Sequence, residues 1–350
     1  MPADNRPHNG EPIATCHVPV MPNEIVHWLG EISPSVIIDG TYGGGGHSAL
    51  LLKTLPAKQG YLVGLDRDPA VSERVESESH DPRLNVFLGS YEKAPQALAA
   101  LDLSVADGVV LDLGLSSDQL ADPHRGFSFT RASAELDLRF DPESGQSAAQ
   151  WLAWNKEAEI ANAIYRYGEE RYSRRIAREI VARRRREAGV KTVEDLVDVC
   201  KRCVPRSKNH DIHPATRTFQ ALRIVVNDEL GALERTLQSA PNWIAERGRL
   251  AIISFHSLED RMIKKRFRSL SEPPSPPRRG LPPPPHEPVM FSNNPRKGLV
   301  ASAEERELNP RARSARLRVL TRVREKRDAH TERDQREAQV RARLEEAKTI

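Results

Sequence analysis

Three aspartates each close a short apolar run. Asp39 follows Val36-Ile37-Ile38, Asp66 follows Tyr61-Leu62-Val63-Gly64-Leu65, and Asp112 follows Gly108-Val109-Val110-Leu111. Such short apolar runs suit strands buried on both faces, as in a parallel sheet. The carboxyl ends of parallel strands share one edge, and ligands of open α/β sheets bind beside it. Carboxylates gathered there can accept hydroxyl hydrogens or balance a cation, and they repel phosphate.

The first run leads into five glycines in seven residues: Gly40, Gly43, Gly44, Gly45 and Gly46. Glycine lets the backbone approach a ligand with no Cβ in the way, at roughly 0.5–1 kcal/mol of chain entropy each relative to alanine. A tight turn without a ligand is the plain alternative, but it gives no reason to cluster five of them. The dinucleotide pattern G-x-G-x-x-G is missing, since Ser48 stands five places after Gly43, and no Gly-Lys-Ser/Thr of a phosphate loop follows. A cationic ligand without phosphate fits better. S-adenosylmethionine, with a sulfonium and an ammonium, is one. Asp66 is the candidate for its ribose diol, because a carboxylate accepts two hydroxyl hydrogens at once. Asp68 before Pro69 reads as a helix cap, and a capping role for both aspartates is the alternative. Tyr91, just past a third strand over 84–88, stands where an adenine could stack; a surface aromatic is the other reading.

The elements that must position these groups follow in order. A short amphipathic helix over 23–29 precedes the first strand, and a helix begins near His47. From about 126 to 214 no buried-strand run occurs, and apolar residues recur at helical spacing: Ile160, Ile164 and Tyr167; Tyr172, Ile176 and Ile180; Val193, Leu196, Val197, Cys200 and Val204. Ser147 caps a helix carrying Trp151 and Trp154. This block reads as a helical insertion after the fourth strand. It holds nine arginines within 166–186, a run that suits RNA phosphates, with a solvated helix face as the alternative. Cys200 and Cys203 with His210 and His213 have the residue types of a zinc site. Cys200, however, lies on the apolar stripe of its helix, and a core cysteine beside a loop is the preferred reading, with no metal. A long helix from 215 carries Phe219, Leu222, Val226, Leu230, Leu233 and Leu237. A strand over 249–255 and an alternating strand over 315–320 complete the sheet.

The chain has 350 residues, a mean hydropathy of −0.57, a net charge of +4 and a pI near 9.0. That length suits two domains with tails. Clustered arginine in a weakly basic chain points to a local nucleic-acid surface. Three cysteines form no disulfide framework, no signal peptide is visible and no apolar run reaches the ~20 residues of a membrane span. A cytoplasmic protein without membrane contact is expected, and monomer and homodimer both remain open. Residues 1–14, a segment at about 271–295 with nine prolines in 272–288, and a charged tail over 324–350 read as unpacked.

Together these segments resemble one family, the bacterial small-subunit ribosomal RNA cytosine-N4 methyltransferases of MraW type, from about His17 to Val323. The carrying motifs are Asp39-Gly-Thr-Tyr-Gly-Gly-Gly-Gly-His47-Ser48, Asp66-Arg-Asp-Pro69, Leu111-Asp-Leu-Gly-Leu-Ser-Ser117, Arg125-Gly-Phe-Ser-Phe129, Tyr167-Gly-Glu-Glu-Arg171, His213-Pro-Ala-Thr-Arg-Thr-Phe-Gln220, Ser254-Phe-His-Ser-Leu-Glu-Asp-Arg261 and Asn309-Pro-Arg-Ala-Arg-Ser314. The resemblance implies a class I S-adenosylmethionine-dependent fold of α/β type, Rossmann-like and mostly parallel. A methyltransferase domain over 15–125 and 215–323 would carry an inserted all-α RNA-binding domain over 126–214. It implies methylation of one cytidine amine in the decoding region of 16S rRNA, with the small ribosomal subunit as partner. By motif position the cofactor contacts are Gly45, Gly46, His47, Asp66, Tyr91, Asp112 and Gln119, to which Asp39 is added from its strand-end place. Asp118 departs from the family, which often has Pro there.

For the chemistry, the loop from Asp112 is expected to orient the target amine, with Asp112 as the catalytic candidate. Ser116, Ser117, His256, Ser257, Arg311 and Arg313 are candidates for RNA contact, with capping and strand packing as the alternative for His256 and Ser257. Three rivals stand beside this: the same chemistry on a DNA or small-molecule amine, a non-catalytic ribosome-assembly factor, and a nicotinamide oxidoreductase.

Overall fold

A computed structural model describes residues 18–78, 81–129, 133–205, 213–274 and 288–323. The expectations for residues 1–14, for the 324–350 tail, for most of the proline-rich segment and for His210 lie outside the described residues.

In chain order the elements are α1 (Pro22–Gly30), β1 (Val36–Asp39), α2 (Gly46–Leu52), β2 (Tyr61–Asp66), α3 (Pro69–Glu78), β3 (Leu84–Leu88), α4 (Ala94–Ala99), β4 (Ala106–Asp112) and α5 (Ser117–Ala121). A helical stretch follows with α6 (Ala148–Trp154), α7 (Glu157–Gly168), α8 (Ser173–Arg185), α9 (Val193–Cys203), α10 (Thr216–Asn227) and α11 (Glu229–Ser239). Then come β5 (Ile244–Ser254), α12 (Ser257–Ser271), β6 (Phe291–Asn293), β7 (Leu299–Val300), α13 (Ala303–Leu308) and β8 (Arg316–Arg322).

The sheet runs β3-β2-β1-β4-β5-β8-β6, with β7 also on β8. The strands from β3 to β5 are mutually parallel, and β8 is antiparallel to β5, β6 and β7. This is a mixed, mostly parallel α/β fold. β1 lies between β2 and β4, so the chain reverses its direction across the sheet there, the switch point at which such sheets bind ligands. Asp39 pairs in register with Val110, and Asp66 with Leu88, placing the closing aspartates on one edge.

Covered faces explain the apolar strands. Ile37 packs with Leu29, Leu51 and Val110 on one side, and Ile38 with Val109, Leu111 and Ile252 on the other. Fully burying such side chains contributes roughly 1.5–3 kcal/mol each. β8 does not follow its alternating pattern, because both of its faces are covered. Arg318 is buried and donates to both Asp260 oxygens, at 2.7 and 3.1 Å. That carboxylate compensates a guanidinium that the pattern alone would place in solvent.

The helices α6 to α9 share a separate apolar core with Phe127, Leu136 and Leu138, and that core runs on through Phe219 and Leu222 of α10. Ser147 caps α6 with Gln150 completing a reciprocal box. Cys200 and Cys203 face this core, with burial pushing the Cys200 thiol up to about 12. Among the described residues no cluster of side chains could hold a metal. No helix among them is long and apolar enough to cross a membrane.

Candidate active site

At the carboxyl edge lies a cleft of about 940 Å³, measured out to its solvent mouth. The glycine loop forms its floor by bridging neighbouring strands. Gly40 N–H donates to Val110 O and Tyr42 N–H to Leu65 O, both at 3.0 Å. Gly43 N–H donates to Asp66 Oδ2 at 2.7 Å, and Thr41 Oγ1 accepts the Asp112 N–H at 2.7 Å. A Cβ on Gly40 would sit 2.4 Å from Leu111 Cδ2 and 2.7 Å from Tyr91 Cβ, so only glycine passes between them. Gly45, at φ 76, makes the left-handed turn into α2.

The three strand-end aspartates differ. Asp39 is buried behind the loop, off the cleft wall. Ser48 Oγ donates to its Oδ2 at 2.7 Å and Thr41 N–H to its Oδ1 at 3.2 Å, so it fastens the loop to α2. Burial raises its pKa, and the His47 charge and the Ser48 bond pull the other way.

Asp66 lines the cleft. Its oxygens accept Gly43 N–H at 2.7 Å and Asp68 N–H at 2.9 Å, and each oxygen keeps a lone pair for a ligand hydroxyl. Burial pushes it up to about 6. Asp68 caps α3 through the Ala70 N–H at 3.2 Å and also receives Arg125 Nη2 at 2.9 Å.

Asp112 also lines the cleft. Its Oδ1 is buried with no hydrogen-bond partner, and its Oδ2 lies 3.8 Å from His47 Nδ1. Burial pushes its pKa up to about 6, against the His47 and Arg311 charges, which favour the ionised form. A buried carboxylate oxygen left unmet costs ~1–3 kcal/mol or more. A ligand N–H, above all a charged one, would remove that cost.

Around these groups stand Gly46, His47, Tyr91, Ser116, Gln119 and Arg311 on the wall. His47 Nε2 is tied to Val20 O at 2.8 Å. Tyr91 is not a surface aromatic: it is half-buried, with its hydroxyl donating to Glu229 O at 3.4 Å. Ser116 and Gln119 form a capping box that starts α5. Arg311 donates to Leu115 O. Asp118, the departure from the family, receives Arg74 Nη1 at 2.9 Å, and Arg74 Nη2 donates to Gly43 O at 2.5 Å. That arginine clasps α5 to the glycine loop.

Other expected residues are elsewhere. His256 caps α12, its Nδ1 accepting the Glu259 N–H at 3.4 Å, and Ser257 Oγ donates to Glu169 Oε2 at 2.9 Å. Arg313 is exposed away from the cleft. The side chain of Ser117 is outside the described residues.

Arg67, Phe140, Glu229, Leu233 and Glu259 line the cleft without having been anticipated. Glu229 is held by Arg223 in a bidentate pair at 2.7 and 2.8 Å. Burial pushes the Glu259 carboxyl up, but bonds from His256 and Phe255 N–H with the Arg223 charge hold it below the ordinary range. Glu259 belongs to a segment already marked in the sequence. Glu229 and Leu233 come from a helix whose apolar stripe gives no sign of a ligand.

The arginine run divides. Arg184 Nη1 donates to the carbonyls of Leu152, Ala153 and Asn155, at 3.2, 2.7 and 2.9 Å, and Arg183 to Asp195 O at 3.3 Å. These two hold helices together. Arg174, Arg178, Arg185 and Arg186 are exposed.

A family model described as the MraW methylase family matches residues 14–323. The chain belongs to that family. The Rhodopirellula baltica protein named ribosomal RNA small subunit methyltransferase H is 57% identical over 317 residues, covering 88% of this chain and 92% of that protein. Its namesake in Rhodospirillum centenum is 46% identical over 311 residues, with 88% and 92% covered. That in Thioalkalivibrio sulfidiphilus is 44% identical over 326 residues, with 90% and 99% covered. The family match takes in every residue of the cleft and ends before the charged tail.

Proposed function

We propose that this protein methylates the exocyclic N4 amine of one cytidine in the decoding region of small-subunit ribosomal RNA, using S-adenosylmethionine. The unpartnered Asp112 oxygen, buried in an acidic, glycine-floored cleft at the switch point, carries the reading. The names of the relatives favour a small-subunit rRNA as substrate over DNA or a small molecule.

The residues present fit this cofactor. Gly43, Gly44 and Gly46 leave room for close approach, Asp66 offers two acceptors for a ribose diol, Tyr91 offers an aromatic wall, and Gln119 closes the side. When bound, S-adenosylmethionine supplies a methyl group on a sulfonium, open to attack by an amine. Cytosine N4 is a weak nucleophile because its lone pair is delocalised, so positioning must carry much of the rate. Asp112 stands between cofactor and base: one carboxylate oxygen accepts a charge-assisted hydrogen bond from the cofactor, and the other, with the loop to Ser116, orients the amine by accepting one N–H. A strong base is unnecessary, since the proton can leave N4 after the new N–C bond forms and the S–C bond breaks. The target base must leave its stack, which costs a few kcal/mol, least where the strand is already single.

The helical layer over 126–214, with its exposed arginines, is the proposed RNA-binding part, and a cytoplasmic ribosomal setting follows. Calorimetry with S-adenosylmethionine is the first test. Micromolar or tighter binding that weakens at least tenfold in Asp66→Ala supports the cofactor assignment. Heat-silent mixing, with no protection against thermal unfolding, removes it.

A further inference from the structure

Three segments far apart in the chain converge outside the cleft, at the end of α7. Glu169 stands there in the left-handed conformation, φ 50. Its carboxylate accepts Ser257 Oγ at 2.9 Å and Arg261 Nη2 at 3.3 Å, and its carbonyl accepts Arg217 Nη1 at 3.1 Å. Gly168 makes the contact close: a Cβ there would meet Arg217 O at 2.3 Å. The junction therefore joins α7, α10 and the first turn of α12. That turn also carries Glu259, which lines the cleft two residues beyond Ser257.

The surface of this junction is basic and carries an aromatic ring. Arg261 is 68% exposed, and Arg166, Arg171 and Arg217 are also exposed. Tyr165 is 63% exposed, one helical turn before Glu169 and so on the same side of α7. Glu170 is buried, and among the described residues the exposed acid that pairs with these arginines is Glu169. An exposed ring among guanidinium groups is the combination that binds single-stranded nucleic acid, with bases stacking on the ring and phosphates pairing with the cations. None of the junction's contacts is used by the proposed reaction.

We infer that this rim, Tyr165 with Arg166, Arg171, Arg217 and Arg261, holds the single-stranded RNA next to the target nucleotide as it enters the cleft. The inference rests on the RNA-methylating reading. It adds a track for the flanking strand and a stacking residue, Tyr165. Positive charge anchored on the helix turn that also supplies Glu259 to the cleft favours RNA over a protein partner.

The test uses the full chain, a labelled single-stranded oligoribonucleotide of mixed sequence, and fluorescence anisotropy over a salt series. Tyr165→Ala is expected to weaken binding roughly five- to 150-fold, the loss of one stacked base. Arg166→Ala with Arg261→Ala should make the log–log salt slope shallower by about 1.4, near 0.7 per phosphate contact on a single strand. Lys58→Ala, in the turn before β2 at the opposite edge of the sheet, should change neither. Wild-type affinity and slope in both rim variants overturn the inference and leave the methylation reading intact. So does a loss confined to whole small-subunit particles with naked RNA unaffected, which marks a protein-docking surface. If the parent protein binds no RNA, the inference falls, and methyl transfer by that same parent shows whether the underlying reading falls with it.

Discussion

Replacing Asp112 by Asn should stabilise the free protein while weakening its ligand. In the folded chain burial moves this carboxyl from 3.8 to about 6. Each unit is worth 1.36 kcal/mol, so ionised Asp112 destabilises the free protein by up to about 3 kcal/mol at neutral pH. The folded pKa lies above the unfolded one. The stability that goes with a neutral carboxyl is therefore fully present below about pH 4 and is lost as pH rises through about 6, where the ionised form takes over. Asparagine keeps the shape and has no charge to desolvate. Urea unfolding of the free protein between about pH 4 and 8 should show wild-type stability falling with pH. Asp112→Asn should be flatter by up to about 1.4 kcal/mol per pH unit between about pH 4 and 6, and more stable above about pH 6. Asp66 is also pushed up to about 6, so part of the slope persists. With S-adenosylmethionine the order reverses. Losing a charge-assisted hydrogen bond should weaken binding by about 1.5–3 kcal/mol, and wild-type affinity should fall as pH drops below about 6. An Asp112→Asn protein that is less stable than wild type at neutral pH, or that binds the cofactor equally well, refutes the reasoning.

Gly40→Ala drives a methyl group into Leu111 and Tyr91, and should cost about 1–3 kcal/mol in thermal unfolding as well as cofactor affinity. Arg184→Ala removes three bonds to the end of α6 and should lower stability by about 1–3 kcal/mol, seen in urea unfolding. Arg185→Ala with Arg186→Ala should leave stability within about 0.5 kcal/mol and flatten the salt dependence of RNA binding instead. Arg74→Ala opens the clasp between Asp118 and Gly43 O; hydrogen exchange should speed up in α5 and the glycine loop, with the rest of the sheet unchanged.

The sheet was legible because its strands are short, apolar and punctuated by aspartate or glycine, and both faces are covered. The ends of β5 were harder. It begins at Ile244, five residues before the apolar run, and a shift in pairing between Ala106 and Gly108 absorbs the extra length. β6 and β7 span three and two residues, too few for a pattern to declare itself. Of the residues that line the cleft, Asp66 and Asp112 were legible from their strand-end position. Asp39 has the same local signature, but its side chain turns inward to Ser48, a choice made by the packing of α2. The arginine run reads as one basic face, yet helical rotation carries Arg183 and Arg184 into contacts with neighbouring carbonyls. Glu229 and Glu259 reach the cleft from helices more than a hundred residues beyond Asp112, and only the assembled fold brings them there.

The most direct measurement is transfer of a labelled methyl group from S-adenosylmethionine to small ribosomal subunits lacking the modification, followed by digestion and identification of the labelled nucleoside. Label on the N4 amine of a single cytidine of the small-subunit RNA, abolished in Asp66→Ala, is the predicted result. Label on another atom or another nucleic acid, or no transfer by a protein that binds the cofactor, contradicts it.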